Sequence, residues 1–312
     1  MTESGSAAIQ SDAPTLELRN ARLRTGEAAS LSLRSDARRI ALLGDWEPLF
    51  GALTGAATLE AGNAQILGHE LGEAVARGVV GLALCDPPLP ASFSVREYLE
   101  HAARLSHGSA RRAESDARKS LDQLGLTELG ALPIGRLPPY QRRALGIATA
   151  TLGAPAVVCL EAPLGGLDAA SADYVAKLCA RVAERHRLIV SAAALSTPSP
   201  ERAFIDTCEE IFLLRSGVLA ASGSPETLFS AHARYLLTLA GDGGQLASAL
   251  DAAGCTVHAQ PTPSSYAALL EPSARVSRYL VELPPAASSD VVLDAALASG
   301  VAVLELEPLQ GD

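Results

Sequence analysis

Residues 155–168 read PAVVCLEAPLGGLD and carry the most informative pattern in the chain. They contain a continuous apolar run, residues 156–160, which is typical of a strand buried on both faces of a sheet. Glu161 follows that run, and a proline and two glycines then indicate a loop. Asp168 stands directly before Ala169-Ala170-Ser171, where an N-capping aspartate would begin a helix. The stretch therefore predicts a strand, a loop that starts with a carboxylate, and a helix.

Similar apolar runs occur on both sides of this stretch, at residues 39–44, 79–84 and 188–192. Helical patterns at 95–105, 110–124, 139–151 and 171–185 alternate with them, which predicts a mixed or parallel sheet with helical crossovers. Alternating apolar and polar residues at 16–23 and 29–33 indicate half-buried antiparallel strands, and residues 210–222 read as a hairpin. The fold class is thus α/β.

The pattern changes after about residue 234 to strand, helix, strand, strand, helix, strand. This order is typical of a small ferredoxin-like α+β domain. We therefore predict a disordered tail at residues 1–14, an α/β domain at 15–232 and an accessory domain at 233–312. A chain of 312 residues is long enough for two cores.

Composition excludes several function classes. The net charge of −10 argues against nucleic-acid binding. The five cysteines are widely spaced and include no CxxC, so we expect neither a disulfide framework nor a metal site. No apolar run approaches the roughly 20 residues that span a bilayer, and the N-terminus lacks a signal peptide, which predicts a cytoplasmic protein. His186 is expected at the surface.

Residues 155–168 resemble the Walker B strand and D-loop of ABC-family ATPases, which run as four apolar residues, Asp-Glu-Pro and then Gly-Leu-Asp. Other motifs of that family follow in order across residues 16–230: a phosphate-loop strand ending at Leu43-Gly44, a hairpin at 62–68, the region after the Q-loop at 87–105, a signature segment at 136–143 and a final hairpin and helix at 217–228. The resemblance implies a P-loop-type ABC ATPase domain with an antiparallel β subdomain, of exporter type. Residues 233–312 resemble the accessory domain of bacterial exporter ATPases.

The phosphate-loop position departs from the family. That loop needs glycine-rich backbone, a lysine and a Ser or Thr, but Gly44 is followed here by Asp45, Trp46 and Glu47. The segment is also too short for the whole loop, and its carboxylates would repel phosphates. We interpret Trp46 as a packing residue that fills the space of the missing loop, with adenine stacking as the alternative. Residues 22–25 offer no aromatic platform for the base.

The resemblance places the remaining catalytic positions at residues of the wrong type. The Walker B Asp and catalytic Glu correspond to Glu161 and Ala162, the Q-loop Gln to Cys85, and the switch His to the region of Ala193. Ala162 cannot accept a proton or orient a water. Glu161 either pairs with a nearby arginine or retains metal binding. Asp168 either contacts a partner across the family's dimer or caps its helix.

The signature motif is altered in the same way. In the family it caps the nucleotide held by the opposite subunit, through a serine and glycine backbone. Proline has no N–H, so two backbone donors are lost at this position. The residues that stand there are Leu137, Pro138, Pro139, Tyr140 and Gln141.

The pattern indicates a catalytically degenerate ABC subunit, a pseudo-ATPase that acts as a structural or regulatory partner in export. No cofactor is expected, although the family uses ATP and Mg²⁺. The resemblance implies a dimer with an intact ATPase subunit or with a second copy, and a membrane permease bound through residues 86–105 at the inner face of a bacterial plasma membrane. The alternatives are a weakly active ATPase with an altered phosphate loop, or a soluble scaffold unrelated to transport.

Overall fold

The computed structural model describes residues 13–23, 30–107, 109–193, 199–215, 217–229, 234–261, 275–284 and 287–308. The predicted tail lies outside these ranges except for its last two residues, and so do Arg24 and Thr25 of the segment that lacks an adenine platform. Within these ranges, no helix combines the length and the apolar character that a membrane crossing requires.

The first part of the chain supplies ten strands, eight α-helices and two short 3-10 helices, Thr127–Leu129 and Ile134–Arg136, among the described residues. The strands are β1 (Leu16–Arg22), β2 (Leu31–Ser35), β3 (Arg39–Gly44), β4 (Ala61–Ile66), β5 (His69–Glu70), β6 (Val80–Ala83), β7 (Val157–Leu160), β8 (Arg187–Ala192), β9 (Glu210–Arg215) and β10 (Val218–Gly223). The helices are α1 (Glu47–Thr54), α2 (Leu71–Ala76), α3 (Val95–His107), α4 (Ala110–Leu124), α5 (Pro139–Ala150), α6 (Ala169–Arg185), α7 (Pro200–Ile205) and α8 (Pro225–Leu228).

Two sheets form from these strands. One is antiparallel, in the order β2-β1-β4-β5. The other has six strands in the order β10-β9-β3-β8-β7-β6, and all of them are parallel except β10, which returns antiparallel to β9. The predicted combination of a mostly parallel sheet and an antiparallel β subdomain is confirmed.

The six-stranded sheet is covered on both faces, which explains why its strands are continuously apolar. Alternate residues of β3 illustrate this: Ile40 and Leu42 belong to the core shared with the antiparallel sheet and α1, whereas Ala41 and Leu43 belong to the core shared with α3 to α6. The sheet is therefore a rigid layer between two cores.

The last part of the chain forms a four-stranded antiparallel sheet, here called the accessory sheet. Its elements are β11 (Arg234–Ala240), α9 (Gly244–Ala252), β12 (Thr256–Gln260), β13 (Val276–Glu282), α10 (Asp290–Ser299) and β14 (Ala302–Pro308). The strand order is β12-β13-β11-β14, so two βαβ halves interlock as in the predicted ferredoxin-like arrangement. One face packs under α9 and α10 through a core that includes Leu237, Val281, Leu250 and Val292.

The surface position predicted for His186 is wrong. This residue follows the last turn of α6 and is buried, with its Nδ1 2.7 Å from the carbonyl oxygen of Pro155. Burial follows from its place between α6 and β8, where the chain turns sharply back into the sheet.

Candidate functional site

The carboxyl ends of four parallel strands meet at one edge of the six-stranded sheet, where ligands bind in sheets of this type. A cleft of about 220 Å³ lies there. Its lining combines residues from distant parts of the chain: Gly44, Glu47, Cys85, Glu161, Ala162, Ser191, Ala192 and Ala193. The structure thus brings together six of the sequence-predicted site residues. Asp45, Trp46, Asp168 and the signature residues 137–141 are not among those that line the cleft.

At the phosphate-loop position the chain passes almost directly from strand to helix. Gly44 has a φ of 90°, and a Cβ atom at this position would lie 1.9 Å from the carbonyl oxygen of Leu214, so only glycine fits. The Asp45 N–H donates to that same carbonyl, at 3.2 Å. Helix α1 then begins at Glu47, which leaves two residues between strand and helix. A loop that could surround a phosphate group has no room to form here.

The side chain of Trp46 occupies the interior beneath this junction. It is fully buried, and its Nε1 donates to the carbonyl oxygens of Leu43 and Phe212, at 3.0 and 3.2 Å. Because the indole is enclosed by the core between the two sheets, neither ring face is available to a nucleotide base. Trp46 therefore serves packing.

The loop after β7 holds Glu161 and Ala162 in fixed positions. A Glu161 carboxylate oxygen accepts a hydrogen bond from the Cys85 N–H at 3.2 Å, and Ala162 donates its N–H to the Ser191 hydroxyl at 3.0 Å. Ala162 has a φ of 38°, a left-handed conformation that costs about 1 to 2 kcal/mol in residues other than glycine. Ala162 presents only a methyl group at the position that the sequence resemblance aligns with the catalytic Glu of ABC ATPases.

Arg143 connects this loop to the start of α5. Its Nη1 donates to the carbonyl oxygens of Ala162 and Pro163, at 3.2 and 2.9 Å, and its Nη2 donates to the Sγ of Cys85, at 3.2 Å. One guanidinium thus ties together the ends of β6 and β7 and the first turns of α5.

Arg143 lowers the pKa of two ionisable groups, Cys85 and Glu201. Burial raises the pKa of the Cys85 thiol; Arg143 opposes this effect, whereas Glu161 and Asp86 add to it. Burial also raises the pKa of the Glu201 carboxyl at the start of α7, and Arg143 again acts in the opposite direction. The Cys85 thiol is therefore protonated at neutral pH, and Arg143 is the cation that lowers the pKa of both groups.

The predicted pairing of Glu161 with an arginine is wrong. Among the described residues no arginine lies within ion-pair distance of Glu161, because Arg143 is held by backbone carbonyls and leaves the carboxylate to the Cys85 backbone. The same part of the chain contains no group of three or more His, Cys, Asp or Glu side chains arranged to hold a metal ion.

The signature segment and Asp168 lie outside the cleft. Pro138 and Pro139 are the N-cap and first residue of α5, and Tyr140 packs edge-on against Tyr174 with ring centroids 5.2 Å apart. Asp168 caps α6 by accepting hydrogen bonds from the N–H groups of Ala170 and Ser171. The capping interpretation of Asp168 is therefore confirmed.

Comparisons with known proteins find ABC transporter proteins similar in sequence over part of the chain and similar in fold. No protein-family model matches the chain. Daunorubicin resistance ATP-binding protein DrrA2 of Streptomyces coeruleorubidus is 39% identical over 80 residues, which is 26% of this chain and 25% of that protein. The solved structure of cbiO1 from Clostridium perfringens, part of the ABC transporter complex cbiONQ, superposes with a TM-score of 0.59 at 17% identity, covering 70% of this chain and 92% of that chain. The chain therefore has the fold of ABC-type nucleotide-binding domains.

A longer match has a lower sequence identity. ABC transporter A family member 1 of Dictyostelium discoideum is 24% identical over 176 residues, 56% of this chain and 19% of that protein. The chain thus spans about a fifth to a quarter of the length of these two curated relatives.

The sequence motifs did not indicate Arg143, Ser191 or Glu201 as residues of the site. Arg143 was visible only as one of two adjacent arginines after the signature position, and Ser191 as a polar residue inside an apolar strand. A hydroxyl on a buried strand usually has a hydrogen-bond partner, so the position of Ser191 inside an apolar strand indicates that its side chain makes a polar contact. Nothing in the sequence indicates the contacts of Arg143.

Proposed function

We propose that this chain is a catalytically degenerate ABC transporter ATP-binding subunit, a pseudo-ATPase. In this role it acts as a structural or regulatory partner of an intact ATPase subunit and a membrane permease during export. Residues 15–232 are the degenerate ABC domain and residues 233–312 an accessory domain. The observation that carries the proposal is the direct passage from Gly44 to α1 over the buried Trp46, which occupies the place of the phosphate loop.

Electrostatics at the cleft support the same conclusion. Glu47 and Glu161 line it, so the phosphates of a nucleotide would approach carboxylates in place of a lysine. Two like charges about 5 Å apart repel by about 1 kcal/mol in water-like surroundings and about 3 kcal/mol at an effective dielectric constant of about 20. Several such contacts would offset the gain from binding a triphosphate.

Two further features argue against turnover in either half of a dimer. Ala162 provides no group that could orient an attacking water in this chain's own cleft. Pro138 and Pro139 contribute no N–H groups at the start of α5, where a partner's nucleotide would be capped. In a dimer with an intact ATPase subunit, the site in this chain's own cleft would therefore lack its catalytic residue. The site in the partner's cleft would lack the N–H groups that cap its nucleotide.

The surface of residues 86–105 supports a docking role for the permease. It includes the start of α3, where Ser94 and Glu97 form reciprocal hydrogen bonds that fix the helix end. A second cleft of about 380 Å³ adjoins this surface, between Cys85–Pro87 and the first turns of α5. In this proposal the chain is peripheral at the inner face of a bacterial plasma membrane, like the ATP-binding subunit of an exporter.

Phosphate release from Mg-ATP by the purified chain tests the loss of hydrolysis. We expect the wild type and the Glu161→Gln variant to release phosphate at the same background rate, because neither contains a group that activates water. Glu161→Gln keeps the size of the side chain and therefore serves as a matched control for contaminating ATPases. Wild-type activity that the variant lacks would contradict the proposal and assign catalysis to Glu161.

A further inference from the structure

The accessory sheet buries an arginine on the face turned away from α9 and α10. Arg278 of β13 lies directly opposite Thr238 of β11 in the strand register, so both side chains project from the same face. Leu236 and Leu280 form the next pair on that face. Leu236 belongs to the core cluster that includes Leu213 of β9 and Ala220 of β10. The arginine therefore lies where the accessory sheet meets the ABC domain.

Arg278 and Thr238 are both buried at this junction. Their exposed fractions are 2% and 0%. In the part of the chain that the structure describes, no hydrogen bond satisfies any of the three guanidinium nitrogens of Arg278 or the hydroxyl of Thr238. Nor does a described carboxylate lie within ion-pair distance of this guanidinium. A permanent positive charge and a hydroxyl are thus enclosed side by side.

Neighbouring arginines at the same junction are neutralised. Arg234 of β11 lies 2.8 Å from a carboxylate oxygen of Glu282, its register partner on β13. Arg215 of β9 lies 3.4 Å from a carboxylate oxygen of Glu307 on β14, which links the ABC domain to the accessory sheet. The Nε atoms of Arg215 and Arg234 also lack a hydrogen bond of good geometry, but each has a carboxylate within 4 Å, whereas Arg278 has none among the described residues.

An unneutralised buried charge is strongly unfavourable, because taking an ion out of water costs several kcal/mol. A guanidinium offers a planar fork of donors that matches the two oxygens of a carboxylate or phosphate group. The Thr238 hydroxyl adds a third donor beside that fork. We propose that Arg278 and Thr238 form a binding site for a small oxyanion, a carboxylate or phosphate group, between the accessory sheet and the ABC domain.

Such a ligand would stabilise the contact between the two parts of the chain. A bound anion here would neutralise the one arginine of this face that lacks an acidic partner among the described residues. The site is independent of the degenerate nucleotide cleft, since none of its residues lines that cleft. Its ligand therefore acts through the accessory sheet.

Thermal unfolding of the full chain tests the proposal. Sodium phosphate, acetate and succinate would be titrated against sodium chloride of equal ionic strength, and the separate phosphate and carboxylate arms distinguish the two anion classes. We expect at least one anion to raise the midpoint saturably, by about 5 °C near 100 times its dissociation constant. Phosphate also stabilises proteins generally by exclusion from their surface, and that contribution does not saturate.

Two variants separate the specific effect from the general one. Arg278→Met keeps the length of the side chain and removes the charge, so we expect a chloride midpoint at or above that of the wild type and no saturable rise with any anion. Arg118→Met removes an exposed arginine, 71% accessible, and should respond as the wild type does. Should Arg278→Met fail to fold, Arg278→Lys keeps the charge without the fork, and its half-saturating anion concentration should rise at least tenfold. A saturable rise that is equal in the wild type and the Arg278 variant, or its absence in the wild type, would overturn the proposal.

Discussion

Replacing Trp46 with alanine is expected to lower the free energy of unfolding by about 3 to 5 kcal/mol, as is typical of large aromatic residues removed from a core. The side chain is fully buried between the antiparallel sheet and the six-stranded sheet, and its Nε1 donates to two carbonyl oxygens that would lose their partner. Urea denaturation followed by far-ultraviolet circular dichroism measures this loss. The wild-type chain also reports through fluorescence, since Trp46 is its single tryptophan.

Trp46→Phe provides the matched control. Phenylalanine keeps most of the buried volume and loses the two hydrogen bonds, so the expected cost is about 1 to 3 kcal/mol, smaller than that of the alanine variant. A loss below about 1 kcal/mol in Trp46→Ala would contradict the packing role, because it would mean that the space beneath the Gly44–α1 junction collapses or fills with water at little cost.

Replacing Arg143 with methionine is expected to cost about 2 to 3 kcal/mol. Hydrogen bonds to a charged group are worth more than neutral ones, and this variant leaves the carbonyl oxygens of Ala162 and Pro163 without their guanidinium donor. Native-state hydrogen exchange should increase at the start of α5 and in the loop after β7, because the connection between them is lost. Arg142→Met, a substitution at the adjacent arginine, is the control.

The pH dependence of the Arg143→Met variant separates its electrostatic role from packing. Burial raises the pKa of Glu201 in the folded chain, so the ionised carboxylate destabilises the fold as the pH rises through its titration, and Arg143 reduces that cost. The loss of stability in Arg143→Met should therefore be larger at pH 7 than at pH 4. Alkylation of Cys85 should also move to higher pH, since the cation that lowers its pKa is gone. A stability loss that is independent of pH and an unchanged Cys85 profile would contradict this role.

Much of the fold could be predicted because its signals are local. The continuous apolar runs that became β3, β6, β7 and β8 are long enough to identify buried strands, and the alternation after residue 234 gives the ferredoxin-like order. The short helices α1, α2 and α7 were not predicted. Each has six to eight residues, too few for a periodic pattern, and α1 is stabilised by burial of Leu49 and Phe50 in a core formed by distant strands.

The candidate site could be predicted in part. The motif order gave the residues that meet at the carboxyl edge of the sheet, since parallel strands bring successive loops together. The contacts that organise the edge depend on geometry that no local pattern encodes. Arg143 donates to carbonyl groups 19 and 20 residues further along the chain, and the burial of Arg278 depends on how the accessory sheet packs against β9 and β10.

Isothermal titration calorimetry of the purified full chain with Mg-ATP tests most directly whether the cleft has lost nucleotide binding. The titration should reach millimolar ligand and include Arg278→Met, so that binding of phosphate groups at the accessory sheet is not mistaken for binding at the cleft. We predict only heat of dilution for the variant, with no shift in its melting temperature. Saturable heat in Arg278→Met, with stabilisation that reaches about 2.7 kcal/mol at 100 times the dissociation constant, would show that the Gly44–α1 junction still accepts a nucleotide and would contradict the account.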